Sequence, residues 1–217
     1  NIKQSDEYGI LEVGMDKKGE IDYLSKIIEP NVGVITNINY AHAKNFKNIK
    51  QIALAKSEII NNIKSNGSII LNADDKFYKL HKQISQKKNL KLISFGIQSN
   101  RADIKLIDIK SFGKNFKIKI RFMNKIKYFI ISNDYQNNIY NILSALAVIS
   151  VNLNIFNLNQ NIFLNFRIPD WRGDHSLIKI NNKKINLIDQ SYNSNPLSLS
   201  SAIKNFDKIK SNKSKKY

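Results

Sequence analysis

A chain of 217 residues with 42% hydrophobic and 10% aromatic residues is long enough for one large or two small domains with a real core, and its composition is globular rather than disordered. Absence of cysteine removes disulfides, thiolate nucleophiles and cysteine metal sites together, which fits a reducing cytoplasm; no apolar run is long enough to span a bilayer and no signal peptide is visible. The formal charge of +18 would suggest a polyanion partner, but the lysines are spread along the chain among many Asn and Ile residues, without an Arg-rich block, zinc-finger spacing or RNP-like signature. A compositional bias toward Lys, Asn and Ile accounts for that charge, so no nucleic-acid partner is expected.

In chain order, Tyr8 to Val13 (YGILEV) is a short apolar run predicted as a strand, followed by a turn and a helix from about Gly19 that stops before Pro30. That helix sets Ile21, Leu24, Ile27 and Ile28 on one face. Val32 to Thr36 (VGVIT) is the next strand, and a long helix follows His42 and runs to Ile63. Ser65, Asn66 and Gly67 end it, Ser68 to Leu71 is a third strand, a shorter helix covers Phe77 to Ser85, and Leu90 to Phe95 is a fourth strand. Strands alternating with helices at these lengths predict βαβ units and a parallel sheet.

From Ala102 to Ser132 apolar and polar residues alternate, with turn signals at Gly113-Lys114-Asn115 and Asn124-Lys125, which predicts a small antiparallel meander with one wet face. Helices are predicted over Asn137 to Val151 and Leu158 to Phe166. After the loop Pro169 to Asp174 come two strands, Ser176 to Ile180 and Ile185 to Ile188, joined at Asn181-Asn182. Pro196 opens a final helix at its favoured first-turn position. The fold class is therefore α/β, a mostly parallel sheet flanked by helices with a small antiparallel meander.

Within the long helix, Ile49, Ile52, Ala53, Ile59, Ile60 and Ile63 make one apolar stripe, and Lys56 falls in its middle. An ammonium without a partner is costly to bury, so Lys56 snorkels, pairs with an acid, acts as a ligand in neutral or modified form, or marks an error in the helix assignment. Ligands of open α/β sheets collect at the carboxyl ends of the strands. There the chain places Glu12, then Thr36, Asn37 and His42, then Asn72, Asp74 and Asp75, and late in the chain Asp189. Singly, each has an ordinary structural explanation: Asp74-Asp75 as a helix cap, His42 as a surface histidine, Glu12 in a strand-end ion pair. Together with Lys56 they supply oxygen and nitrogen donors suited to a hard divalent cation beside a phosphate.

The phrases Glu12-Val13-Gly14-Met15 with Gly19-Glu20-Ile21, Thr36-Asn37-Ile38 with Ala41-His42, Ala55-Lys56-Ser57-Glu58-Ile59, Asn72-Ala73-Asp74-Asp75, and Asp189-Gln190-Ser191-Tyr192-Asn193-Ser194-Asn195-Pro196 resemble the Mur ligases, in order and over about Tyr8 to Ile203. Their spacing is most similar to the branch that adds D-alanyl-D-alanine to UDP-MurNAc-tripeptide in peptidoglycan precursor synthesis. Amino-acid-adding Mur ligases and folylpolyglutamate-synthase-like enzymes are the related alternatives, and a basic nucleic-acid-binding module is the alternative from another class.

The resemblance implies a P-loop-NTPase-like central domain of an ATP-dependent carboxylate-amine ligase that works through an acyl phosphate. It implies Glu12 as ligand of one Mg²⁺, and His42 with a carbamylated Lys56 as ligands of a second. A lysine in an apolar setting has a lowered pKa, and its neutral amine can take up CO₂, which turns a stranded cation into an anionic ligand. Asn138 and Asn141 match the family's nucleotide-contacting pair, and Arg172 matches its phosphate-contacting arginine. The resemblance places Asp189 and Asn193 in the loop that faces the ATP and counts Thr36 and Asn37 among the cofactor-binding residues.

The chain also departs from the pattern. Asn137 stands where the family usually has His, Gln190 where a second acid is common, and Ser57 where glycine is frequent. No G-x-x-x-x-G-K-[ST] phosphate loop occurs in the sequence. The first residue is Asn1, and a Lys-rich run ends at Tyr217. The expectation is a central ATP-binding domain over 1–205 and a linker beginning at 206–217, cut at both ends and inactive alone. UDP-MurNAc-peptide and D-alanyl-D-alanine would be bound by domains outside this sequence, in a cytoplasmic monomer with no membrane contact.

Overall fold

The computed structural model describes residues 3–40, 45–132, 138–166, 173–192 and 196–208. Its centre is a six-stranded sheet in the order β1 (Val32–Ile35), β2 (Ser68–Asn72), β3 (Lys91–Gly96), β4 (Ile104–Phe112), β5 (Asn115–Phe122), β6 (Lys125–Ser132). β1 to β4 run parallel and β4 to β6 antiparallel, so the meander continues the parallel sheet instead of forming a separate unit.

Alternation along the strands builds two cores. In β2, Ile69 and Leu71 face a cluster containing Ile52, Ala53 and Ile60, while Ile70 faces a cluster with Ile142, Leu143 and Leu146. Covered on both sides, β2 is almost wholly apolar, as a central parallel strand must be. Helix α1 (Glu20–Ile28), α2 (Ile49–Lys56), α3 (Glu58–Asn61) and α4 (Tyr78–Lys87) accompany the first cluster, and α5 (Ile139–Asn152) packs across β1 to β4 on the other face. The alternating pattern of β5 points Ile118 and Ile120 into the α5 core and Lys117, Lys119 and Arg121 outward.

A parallel neighbour ordinarily needs a crossover of a dozen or more residues. β3 and β4 are joined through residues 97–103 alone, pairing only at Phe95 with Ile104 and Gly96 with Lys105. Side chains hold this loop. Asp103 accepts from the N–H (2.8 Å) and hydroxyl (2.6 Å) of Ser94, and Arg121 donates to the carbonyls of Asn100 and Ala102.

Several expectations are corrected. Tyr8 to Val13 takes no regular secondary structure and pairs with no strand among the described residues, and Ile10 is 95% exposed; an apolar run becomes a strand only where a neighbouring edge accepts its hydrogen bonds. In α1, Ile21 and Ser25 are buried while Leu24 and Ile27 are exposed, because the helix turns a polar side to α3. The long helix is two helices: the turn tightens at Ser57, whose hydroxyl bonds back to Leu54 O at 2.6 Å, and Ile60 N–H reaches Ser57 O in a 3₁₀-type bond. The helix expected over Leu158 to Phe166 is a 3₁₀ turn at Ile155–Asn157 followed by turns, in which Phe163 bridges to Ile131 at the edge of β6. Gly67 ends the α3 connection because a Cβ there would sit 2.7 Å from Asn31 O and 2.5 Å from Ile63 Cγ2.

The late hairpin, β7 (Asp174–Ile180) and β8 (Lys183–Asp189), forms its own two-stranded sheet, with Asn181 and Asn182 both at positive φ as its two-residue turn requires. Helix α6 spans Pro196–Lys208 and opens at the proline.

Candidate functional site

Three side chains from two different elements converge on the turn that leaves β1. Asn72, the last residue of β2, donates from Nδ2 to Thr36 O at 3.1 Å. Lys56, the last residue of α2, donates from Nζ to Asn37 O at 3.0 Å. Asp75 accepts the Ile38 N–H at 2.8 Å on one carboxylate oxygen and the Phe77 N–H at 2.8 Å on the other. Thr36 and Asn37 are exposed, Ile38 is buried, and Lys56 is half-buried.

Burial lowers the Lys56 pKa and the negative charge of Asp75 opposes it; burial wins, so the neutral amine is more accessible than in a surface lysine. Behind Lys56, His81 of α4 is 2% exposed and donates from Nε2 to Ala53 O at 3.0 Å, a carbonyl that can only accept. Burial lowers its pKa, the Ala53 bond and Asp75 resist, and Lys56 lowers it further, so His81 is a neutral core histidine. Lysine and histidine thus both feel the charge of one carboxylate, Asp75, just after the end of β2.

Asp74 has a different task. Its oxygens accept the backbone N–H groups of Ile97 (2.6 Å), Gln98 (3.0 Å) and Ser99 (2.7 Å) and the Tyr140 hydroxyl (2.9 Å). Burial would raise its pKa, but the Gln98, Ile97 and Ser99 amides and Tyr140 outweigh it and hold the carboxyl below its ordinary value. Tyr140 is pushed up to about 12 by burial and by its bond to Asp74. Asp74 therefore ties the β3–β4 loop to the start of α5, instead of standing free for a cation. On that same helix start Asn141 Nδ2 donates to Asn138 Oδ1 at 3.2 Å, and Asn138 makes no side-chain cap, so the pair is held together by itself and not by capping.

Two further predicted residues lie on other parts of the described chain. Glu12 is exposed in the segment before α1, outside the sheets. Asp189 ends β8, where the Ser191 hydroxyl and N–H hold its carboxyl below the usual range. His42, Arg172 and Asn193 lie outside the described residues. Among the described residues no group of three or more His, Asp or Glu side chains is arranged to hold a metal ion. With Asp74 and Asp75 taken up by backbone donors, the described residues alone do not fit a divalent cation.

Two residues of the quoted phrases have roles that spacing did not reveal. The Glu58 carboxylate accepts the N–H of Gly19 (3.1 and 3.0 Å) and of Asp22 (3.3 Å), capping α1 from another helix. Glu20 accepts the N–H groups of Asp16 (2.6 Å) and Lys17 (3.0 Å) at the turn before α1. Glu58 stands two residues after Lys56, so the same phrase carries the lysine of the site and the cap of a neighbouring helix.

A parallel α/β sheet with polar groups gathered at its strand ends is a ligand-binding architecture. The sequence pattern of the Mur ligase middle domain matches residues 1–149, and the chain belongs to that family. Over 212 residues it is 32% identical to a UDP-N-acetylmuramoyl-tripeptide–D-alanyl-D-alanine ligase of Buchnera aphidicola subsp. Baizongia pistaciae, covering 96% of this chain and 44% of that protein. A ligase of the same name from Rickettsia prowazekii is 32% identical over 203 residues, covering 91% of this chain and 43% of that protein. Among solved structures, MurF from Acinetobacter baumannii superposes with a TM-score of 0.82 at 23% identity over 96% of this chain and 44% of that one. MurF from Thermotoga maritima in complex with ADP gives 0.71 at 21%, over 89% and 43%. The chain thus spans less than half the length of these relatives.

Proposed function

We propose that this chain is the central domain of an ATP-dependent peptide ligase of peptidoglycan precursor synthesis, one that joins D-alanyl-D-alanine to UDP-MurNAc-tripeptide. The 32% identity to proteins of that name over nearly the whole chain supports the substrate pair, and the ADP complex of the Thermotoga maritima protein supports the nucleotide. In the proposed reaction the substrate carboxylate attacks the γ-phosphoryl group, ADP leaves, and an acyl phosphate forms. The incoming amine adds to its carbonyl, and the tetrahedral intermediate expels phosphate. Such chemistry asks the protein for positioning and charge neutralisation more than for covalent participation.

The observation that carries the reading is Lys56, an apolar-stripe lysine with a lowered pKa whose Nζ lies on Asn37 O at the end of β1. In the proposal it is carbamylated in the working enzyme. Asn138, Asn141, Thr36 and Asn37 bind the nucleotide, with Arg172 on its phosphates and Asp189 and Asn193 in the loop that faces it. Two Mg²⁺ ions, one at Glu12 and one at His42 with Lys56, complete what the resemblance implies, and no step above depends on where they sit. The unit spans 1–205 with a linker from 206, and the protein is a cytoplasmic monomer without nucleic-acid partners. In the described residues no helix is long and apolar enough to cross a membrane. The phosphate-loop motif is not in this sequence, so the 217-residue chain alone is expected to be inactive.

The test is Lys56→Ala in the complete ligase polypeptide. The expected outcome is a loss of about 100-fold or more in ligation rate with partial rescue by small carboxylates, since one positioned charged group is worth that much in such sites. Full activity in Lys56→Ala would remove the reading.

A further inference from the structure

We infer that Asn72 and Asp75 are positioning residues, which fix the Thr36–Ile38 backbone on which Lys56 lands and so aim that side chain into the site. This deepens the ligase reading and rests on it. Three successive residues of the turn each commit one backbone group to a side chain: Thr36 O to Asn72, Asn37 O to Lys56, Ile38 N–H to Asp75. β1 is the edge strand of the sheet, so no further described strand fixes this turn from outside. Thr36 and Asn37 are exposed and bury nothing that would anchor them.

Asp75 is itself immobilised, because its second oxygen holds the Phe77 N–H at the start of α4, and its own N–H bonds to Asn72 O at 3.2 Å. Asn72 and Asp75 thus form one rigid corner at the end of β2, a strand buried on both faces. A lysine stem is flexible and strongly entropic, so its head is placed only by what it meets. Here it meets one carbonyl, and that carbonyl is oriented by its two neighbours in the chain. Reactive geometry tolerates errors of about 0.5 Å, which makes a peptide plane free to rotate a functional loss even where the fold survives.

The experiment uses the complete ligase polypeptide carrying this chain, with Asn72→Ala, Asp75→Ala, Asp75→Asn and Lys56→Ala compared for kcat, KM for ATP and cooperative unfolding. The two alanine variants at positions 72 and 75 are expected to lose about 10- to 100-fold in kcat with KM for ATP within about twofold. Asp75→Asn keeps one oxygen for the Ile38 N–H but turns its NH2 toward the Phe77 N–H, and is expected to lose less kcat than Asp75→Ala. Should Asp75→Ala not fold, Asn72→Ala and Asp75→Asn decide the matter by the same measurements. Wild-type kcat in Asn72→Ala, or an Asp75→Asn variant with the KM for ATP raised and kcat unchanged, overturns the positioning role while an inactive Lys56→Ala leaves the ligase reading standing. An active Lys56→Ala overturns the ligase reading itself.

Discussion

At the residue scale, two titratable groups share the acid Asp75 and differ in what burial does to them. Lys56 is half-buried and keeps its head at the strand ends, on the Asn37 carbonyl. Pattern alone left four explanations for it; a half-buried side chain whose head donates to a backbone carbonyl is the geometry of a snorkelling lysine. His81 is buried outright and neutral. Because its folded pKa lies below the usual value of 6.5, the unfolded chain binds the proton first as pH falls. The stability His81 contributes is fully present above 6.5 and is lost as pH falls from there toward the depressed folded value. Denaturant midpoints measured from pH 7.5 down to 5.5 are expected to fall in the wild type, and to fall less in His81→Gln, whose amide still donates to Ala53 O. Equal slopes in the two proteins would remove His81 as the cause.

At the scale of elements, the polar contact between α1 and α3 replaces an apolar one. Glu58 caps α1, and Asn62 donates to Asp22 Oδ1 (2.9 Å) and Ser25 Oγ (2.8 Å). This explains why Leu24 and Ile27 are left outside although their spacing is that of a core face. A cap supplied from a distant part of the chain cannot be read from local sequence, because its partner is chosen only when the helices meet. Glu58→Ala removes an acceptor from the Gly19 and Asp22 N–H groups and is expected to cost about 1–2 kcal/mol in denaturant unfolding, while Glu58→Gln costs less. A loss within a few tenths of a kcal/mol would show the cap to be replaceable by water.

For the whole molecule, one sheet joins a parallel half with two covered faces to an antiparallel half with one wet face, through the short loop held by Asp74 and Asp103. β1 lies at one edge and β6 at the other, the latter covered by the Ile130 N–H bond to Gln160 O (2.8 Å) and the Phe163 bridge. Tyr8, Ile10 and Leu11 are 63%, 95% and 52% exposed in a segment outside the helices and strands. Exposed apolar residues in unpaired backbone promote self-association. The 217-residue chain is expected to scatter light increasingly with concentration, and Ile10→Lys to reduce this without lowering the thermal midpoint. No difference in sedimentation between the two proteins would contradict it.

Local pattern was enough for the βαβ order, the meander over Ala102 to Ser132, the Asn181-Asn182 hairpin and the proline-opened last helix, because period, turn residues and proline act within a few positions. The family was equally legible, since separated phrases in a fixed order survive without any knowledge of contacts. The tertiary structure alone decided which residues share the site. It gave Asp74 to a backbone loop and Asp75 to the turn beside Lys56, although the two are adjacent in sequence and chemically identical. It also left Tyr8 to Val13 without a strand partner among the described residues, because a strand is a property of two neighbours and not of one run of residues.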